Sequence, residues 1–493
     1  MIIANIILSG WCLSLDPVIN FDGVTYITAA QLFIDGQSAA AHASYSWPYY
    51  SLFIASTAKL FAIDVELAAF VLNTALVTSL TLAFVCIVAE LSNNNKRIIL
   101  IAMVLILFFP SISKYRSFVI RDFGYLSCYL WSLYFIFRYC ATHDNKHLLG
   151  WILFAGVSSL FRFEGLIFIL IAPYFLFLFS SHPVQHKKKI IAFLSITIIG
   201  VSTTLLLWYV NDKYSDSVEV AKLAGQNIKN LTDLFAANIQ NRLGDQTLTF
   251  TSLIGLLITN TGDVTYELIR RMAIFYFLFV IYAYVKRLAL TDKLQHKIWQ
   301  IYVATNLLML VAFSLSNNFI VSRYTLASVL TLLILAPFAI EKLLIISRTT
   351  SLKNKFIIGV IFIILAGVSI EGLNVGTNKV FVKTTGNWIN ENLATDATLY
   401  SNNKLVIYYA NRGSKANLEY LYSMDVLRLF MDNGQLKSFD YIVLIGNNGD
   451  YLESVIRQTL SFRFGKPIKI LFGEDGDFAS IHRIKSKTNV YIQ

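Results

Sequence analysis

Apolar runs near the length needed to cross roughly 30 Å of bilayer hydrocarbon recur along the chain, separated by short polar connections. They fall at residues 2–15, 65–91, 98–112, 123–140, 148–161, 165–181, 190–210, 266–285, 298–316, 324–346 and 356–373, and predict about eleven transmembrane helices. Residues 16–64 interrupt this pattern as a long first loop. Within it Tyr26, Ile27, Ala30, Phe33 and Ile34 repeat at helical spacing, which predicts a helix lying along the interface. Residues 48–63, PYYSLFIASTAKLFAI, predict a second short apolar segment, interfacial or re-entrant. Residues 211–265 are polar enough for another loop with helices of its own.

From residue 374 the spans stop. TLYS (398–401), YIVLIG (441–446) and IKILFG (468–473) read as strands, and GNWINENL (386–393) and DYLESVIRQTL (450–460) as helices. Such alternation predicts a small α/β domain outside the membrane. The expected fold class is therefore a polytopic α-helical membrane protein, residues 1–373 with outer loops 16–64 and 211–265, carrying a C-terminal α/β domain over 374–493.

Composition agrees with this. The chain is 56% hydrophobic and 14% charged, with a mean hydropathy of +0.59, where soluble proteins keep about 25% of their residues charged. The net charge of +11 raises the question of nucleic acid, but the basic residues lie in short clusters between apolar runs, so membrane topology explains them and nucleic acid is not an expected partner. Cys12, Cys86, Cys128 and Cys140 lie in or at the ends of apolar runs, where a thiol behaves as a small hydrophobe, and form no disulfide or zinc spacing. The first run has no basic flank or small-residue cleavage site before or after it, and reads as a retained span.

Orientation follows from the short loops. With the N-terminus cytoplasmic, fifteen Lys and Arg fall inside: Lys96, Arg97, Arg138, Lys146, Lys187, Lys188, Lys189, Lys286, Arg287, Lys293, Lys297, Lys342, Arg348, Lys353 and Lys355. Eight fall outside: Lys59, Lys114, Arg116, Arg121, Arg162, Arg270, Arg271 and Arg323. The eight exceptions share the outer face with Asp22, Asp122 and Glu164.

Each of these residues has a structural explanation of its own. Asp22, two residues after Asn20 at the opening of a helix, fits a helix cap. Arg121 and Asp122 fit an interfacial ion pair of small value, Arg162 and Glu164 a tight-turn pair, and Arg323 a snorkelling side chain. Their collection on one face is what carries functional weight. Fixed guanidinium groups suit an anionic phosphate, and a carboxylate within hydrogen-bond reach of an acceptor hydroxyl suits a general base. Together they point to group transfer from a lipid-linked phosphate at the membrane surface.

NFDGVTYITAAQLF followed by SWPYYSLFIASTAKLF, then RDFGYLSCYLWSLYFIFRY, FRFEGLIFIL and SRYTLASVLTLLILAPF, resemble in order and spacing the GT-C glycosyltransferases. The likeness is to the glycosyltransferase-family-39-like branch of bacterial lipid A aminoarabinose transferases and protein O-mannosyltransferases. It covers residues 1–345, and the C-terminal segment looks like the periplasmic domain of many bacterial relatives. The resemblance implies inverting transfer of a hexose or pentose from a polyprenyl-phosphate donor to a lipid, glycan or protein acceptor, on the periplasmic side of a bacterial inner membrane. Under it Asp22 is the general base or acceptor-orienting acid and Asp122 the acid of the second outer loop. Arg323, in the RY before a late span, is a phosphate ligand, with Arg121, Arg270 and Arg271 as further phosphate candidates and Arg162, Glu164 and Tyr49 in support. Gly23 departs from the pattern, since relatives often carry a second acid there, and this puts a paired-carboxylate or metal-binding first loop in doubt.

Further readings of the residues stand beside this one. Asp22, Asp122 and Glu164 offer oxygen ligands for a divalent cation if they converge. HDNKH (143–147) has histidines at i, i+4 spacing, but on the cytoplasmic side and without further ligands, where a structural role is the better reading. Trp47, Tyr49 and Tyr50 suit either a sugar ring or an interfacial aromatic belt, and the belt is favoured. A transporter or flippase of a lipid-linked glycan is the main alternative function. Against it, the spans hold few polar residues, Asn73 and Asn306 among them, and no internal repeat is visible. A non-catalytic scaffold whose 374–493 domain binds a partner is the third.

Overall fold

The computed structural model describes residues 1–179, 250–290, 292–317, 319–349, 352–373, 379–412, 416–418, 438–474 and 476–484. The predicted span at 190–210 and most of the 211–265 loop lie outside the described residues. Ten helices make up the first part: α1 (Ile2–Leu15), α2 (Phe21–Ile34), α3 (Ser38–Ser44), α4 (Tyr49–Phe61), α5 (Val65–Leu91), α6 (Lys96–Leu107), α7 (Pro110–Ser113), α8 (Asp122–Thr142), α9 (Asn145–Phe161) and α10 (Gly165–Phe179). Then come α11 (Phe250–Val285), α12 (Lys293–Asn317), a 3-10 turn (Ser322–Thr325), α13 (Leu326–Leu333), α14 (Ala336–Thr349) and α15 (Leu352–Leu373).

Local chemistry sets the boundaries. Asp64 caps α5, accepting from the Leu67 amide at 2.9 Å, and Asn95 and Asp144 cap α6 and α9 in the same way. α8 is buried on most of its surface, packed between α5 and α9. On the outer helices the large apolar side chains point outward instead: Ile3, Ile7, Leu100, Val104, Leu149, Leu153, Leu308 and Ile363 are each more than half exposed. That surface is tolerable in hydrocarbon and not in water.

Among the described residues three helices, at Val65–Leu91, Ile254–Val285 and Lys293–Asn317, are long and apolar enough to cross a membrane outright, and the bent pair Ser322–Leu333 and Ala336–Ser347, taken as one span, makes a fourth. Ile2–Leu15, Gly165–Leu176 and Ile358–Leu373 are shorter apolar helices. Several predicted boundaries move. The 98–112 run ends as a helix at Leu107, because Phe109 precedes Pro110 and is held extended (φ −66°, ψ 119°). The 324–346 run bends by 47° between Leu333 and Ala336, where Pro337 brings no N–H and its ring excludes the carbonyl four residues earlier. The helix predicted to begin at 266 begins at 250 and is kinked at Ala273, whose backbone is non-helical (φ 52°, ψ 144°). Its polar residues are satisfied internally, with Thr259 and Thr265 hydroxyls bonding back to Gly255 and Thr261 carbonyls and the Asn260 carbonyl oxygen accepting from the Ser314 hydroxyl.

The last part holds α16 (Val380–Asn392), β1 (Leu399–Ser401), α17 (Lys404–Tyr409), β2 (Ala416–Leu418), β3 (Tyr441–Asn447), α18 (Tyr451–Phe464), β4 (Lys469–Phe472) and β5 (Asp477–Arg483). The sheet order is β2-β1-β3-β5-β4, with β1 parallel to both neighbours and β5 antiparallel to β3 and β4. All three predicted strands and both predicted helices are present, and α17, β2 and β5 are additional. Strand alternation splits the core: Ile442 and Leu444 face Ile456 and Leu460 of α18, whereas Val443 joins the buried cluster that runs on through Leu405 of α17 to Ile19 and Val18 of the first loop.

Candidate functional site

Asn20 brings two distant loops together. Its side-chain amide donates to the Val119 carbonyl at 3.2 Å and its oxygen accepts from the Val119 N–H at 2.7 Å, imitating a strand pairing between the loop before α2 and the loop before α8. Asn20 is the N-cap residue of α2 but makes no side-chain cap. Asp22 does not cap the helix either. It stands in the first turn, where the helix dipole favours a carboxylate, and its Oδ2 lies 2.5 Å from Arg323 Nη2.

From there the charges alternate across four elements. Arg323, in the 3-10 turn before α13, also faces Asp122 Oδ2 at 3.9 Å. Asp122 opens α8 and holds Arg162 Nη1 at 2.5 Å, both side chains being about 5% exposed. Arg162, at the end of α9, bonds Glu164 through Nε at 3.2 Å and also through Nη2, and its guanidinium lies 3.9 Å over the Tyr324 ring. The order is Asp22, Arg323, Asp122, Arg162, Glu164, three carboxylates and two guanidiniums. Burial works against charge on Arg162 and Arg323, but the facing carboxylates outweigh it and both are held more firmly protonated than usual. Burial likewise opposes ionisation of Glu164, and Arg162 reverses this, so its carboxyl titrates lower than usual.

Exposure is graded along the chain of charges. The Arg162–Asp122 end is sealed, whereas the Asp22 side chain is 39% exposed and that of Arg323 24%. Asp22 Oδ1 makes no hydrogen bond among the described residues. The site thus has one open end, with a carboxylate oxygen and a guanidinium side by side.

The remaining predicted residues stand at varying distance from it. Arg271 bonds the hydroxyl of Ser322, the neighbour of Arg323, and pairs with Glu267 at 2.7 Å. Arg270 also pairs with Glu267 but its side chain is 53% exposed. Lys114 approaches this pair, and burial together with Arg271 and Arg270 lowers its pKa. Arg121 does not pair with Asp122. It lies 5.8 Å over the Tyr45 ring, with Tyr45 edge-on to Tyr26. Tyr49 is outside the charged network, exposed and edge-on to Trp47, while Tyr50 is buried beneath it against Tyr26. Arg116, another of the outer exceptions, is structural: buried, it donates to Asn5 Oδ1 at 3.0 Å and to the Leu107 carbonyl at 2.9 Å.

The carboxylates offered as cation ligands are separated by guanidiniums, and among the described residues no group of three or more His, Cys, Asp and Glu side chains is spaced to hold a metal. The HDNKH pair sits at the other end of α8. His143 ends that helix in the left-handed region (φ 56°) and His147 bonds the Thr142 hydroxyl at 2.8 Å.

A family model described as dolichyl-phosphate-mannose-protein mannosyltransferase matches residues 42–208. No curated protein matches significantly in sequence. Among solved structures, ArnT from Cupriavidus metallidurans in the apo state superposes with a TM-score of 0.54 at 12% identity, covering 98% of this chain and 97% of that one. The same enzyme bound to undecaprenyl phosphate gives 0.51 at 11% identity, with coverage of 98% and 97%. The chain has the GT-C fold. The likeness in fold extends over 98% of the chain, whereas the family model matches residues 42–208.

Within this GT-C fold the departure at Gly23 has a steric cause. A Cβ there would lie 2.7 Å from Ile19 Cγ1 and 2.9 Å from Asn20 Oδ1, against the clamp that joins the loops. Gly23→Ala is expected to lower stability by about 1–3 kcal/mol, read as a lowered melting temperature in detergent, and an unchanged melting temperature would show that the clamp yields freely. Gly124 plays the corresponding part deeper in the bundle, where a Cβ would meet the Phe161 ring at 2.3 Å, so α8 and α9 approach closely enough for Asp122 to reach Arg162. Three contributors escaped sequence reasoning: the Asn20 clamp, Tyr324 under Arg162, and Lys404 of α17, whose ammonium reaches Thr25 on α2. Tyr324 had a signal, the RY pair. Lys404 had none, being 379 positions from its partner.

Proposed function

We propose that the chain transfers a sugar from a polyprenyl-phosphate donor to an acceptor hydroxyl at the outer end of its helix bundle, by one inverting displacement. The observation that carries this reading is Arg323 lying between Asp22 and Asp122 at the open end of the charged network. The acceptor oxygen attacks the anomeric carbon and gives its proton to Asp22. The bond from that carbon to the phosphate oxygen breaks, and its electron pair leaves on the polyprenyl phosphate, where the extra charge falls to Arg323. A phosphate competes with Asp22 for the Arg323 guanidinium, so donor binding frees the carboxylate to act as base. The sealed Arg162–Asp122 pair holds the far side of Arg323 in place, and Arg270, Arg271 and Lys114 supply further positive charge beside Ser322. That ArnT is known with undecaprenyl phosphate bound supports a donor of this class. The exposed apolar flanks of the bundle give its tail a hydrocarbon setting, and the excess of Lys and Arg in the opposite loops, fifteen against eight, leaves this face periplasmic in a bacterial inner membrane. The acceptor is a lipid, glycan or protein bearing a hydroxyl.

Arg323→Ala in the purified chain, in nanodiscs with undecaprenyl-phosphate-linked sugar, is expected to raise the donor KM about 10- to 100-fold, the value of a hydrogen bond between charged partners of 1.5–3 kcal/mol. Arg323→Lys is expected to recover part of it. An unchanged donor KM would remove Arg323 from the phosphate site.

A further inference from the structure

The C-terminal α/β unit reaches into the charged site. α17 leaves β1 through a loop stapled to the sheet: the Asn402 side chain donates to the Ile445 carbonyl at 2.8 Å and accepts from the Ile445 N–H at 2.9 Å. Asn403 caps the helix, accepting from the Leu405 N–H at 2.9 Å. Lys404, the first residue of α17, is therefore carried on a fixed framework, and its ammonium meets the Thr25 hydroxyl at 2.5 Å. Thr25 lies three residues after Asp22, on the same face of α2. Burial of Lys404 lowers its pKa, and the charge that works against this is Asp22. The rest of α17 docks on neighbouring segments: Tyr408 donates to Glu66 at the start of α5 at 2.8 Å and the Tyr409 hydroxyl accepts from the Ile19 N–H of the first loop at 3.0 Å.

We infer that Lys404 is a positioning residue for the transfer reaction: the α/β unit presents a second fixed cation one helical turn from Asp22 and so draws that carboxylate toward the acceptor. This rests on the proposed role of Asp22. The physical need is plain. Once donor phosphate draws Arg323 away, a carboxylate in the first turn of a helix needs another partner to fix its direction, and a misplacement of about 1 Å is worth on the order of 10²-fold in rate. Lys404 keeps its place through Thr25 while the ammonium retains two further protons for the carboxylate. The α/β unit is thereby part of the catalytic assembly as well as a cover over it.

The test uses the full chain in nanodiscs, with undecaprenyl-phosphate mannose and undecaprenyl-phosphate aminoarabinose as donors and lipid A as the hydroxyl-bearing acceptor, and follows the acceptor-dependent release of undecaprenyl phosphate. Lys404→Met is expected to lower kcat about 10- to 100-fold with the donor KM within about twofold of wild type, because Arg323 is untouched. Lys404→Arg is expected to restore most of the rate. Tyr408→Phe, which loosens the docking of α17 without removing a charge near Asp22, reports the effect of docking alone and is expected to keep kcat within about twofold. A wild-type kcat in Lys404→Met overturns the inference, as does a loss that Tyr408→Phe matches and Lys404→Arg fails to rescue. If Asp22→Asn is inactive while Lys404→Met is fully active, this inference falls and the role of Asp22 stands. If wild type and Asp22→Asn release undecaprenyl phosphate equally, the proposed function falls and takes this inference with it.

Discussion

Asp22→Asn is expected to lower turnover about 10²- to 10⁴-fold, the range that a positioned general base contributes, while leaving the protein folded and inserted. The two expectations separate because of exposure. The Asp22 side chain is 39% exposed, so its pair with Arg323 adds at most about 1 kcal/mol to stability. The amide keeps the shape and loses the proton-accepting charge. Purified mutant and wild type, compared for transfer rate and for melting temperature, decide the matter: near-normal turnover in the mutant would show that another group takes the proton.

The opposite profile is expected of Arg162→Met. Arg162 and Asp122 are both about 5% exposed and pair at 2.5 Å, with Glu164 on the other side of the guanidinium. Removing the cation strands the buried Asp122 carboxylate beside the partly exposed Glu164, and breaking such a buried pair costs about 3–5 kcal/mol. A large fall in melting temperature or in yield is therefore expected. The double substitution Arg162→Met with Asp122→Asn removes the stranded charge and is expected to recover part of the stability without recovering activity. If Arg162→Met melted like wild type, the sealed half of the network would be no more than a surface pair.

The helices were legible because hydrocarbon demands long apolar runs, and the strands of the C-terminal unit because their alternation is short and bounded by polar turns. What the sequence hid has physical causes. The start of α11 reads as loop because Thr259, Asn260 and Thr265 are polar, yet each bonds back into its own helix. The bends after Leu107 and Leu333 were visible as Pro110 and Pro337, but a proline alone does not say whether the chain stops or resumes. Asp22, Asp122, Arg162, Glu164 and Arg323 were singled out by lying on one predicted face, and their convergence follows from that topology. Their pairing did not follow: Asp122 stands beside Arg121 in sequence and bonds Arg162, 40 positions on, because helix geometry turns adjacent side chains apart. Lys404 and Asn20 act across folds of the chain that no local pattern encodes.

The central claim is that the open end of this network holds the donor's phosphate. A cryo-electron microscopy structure of the wild-type chain in nanodiscs with undecaprenyl phosphate tests it most directly. The account predicts phosphate density within hydrogen-bond distance of Arg323, with the Arg323–Asp22 contact broken and the carboxylate turned toward Lys404. Phosphate bound elsewhere on the bundle, with Arg323 and Asp22 still paired, would contradict it.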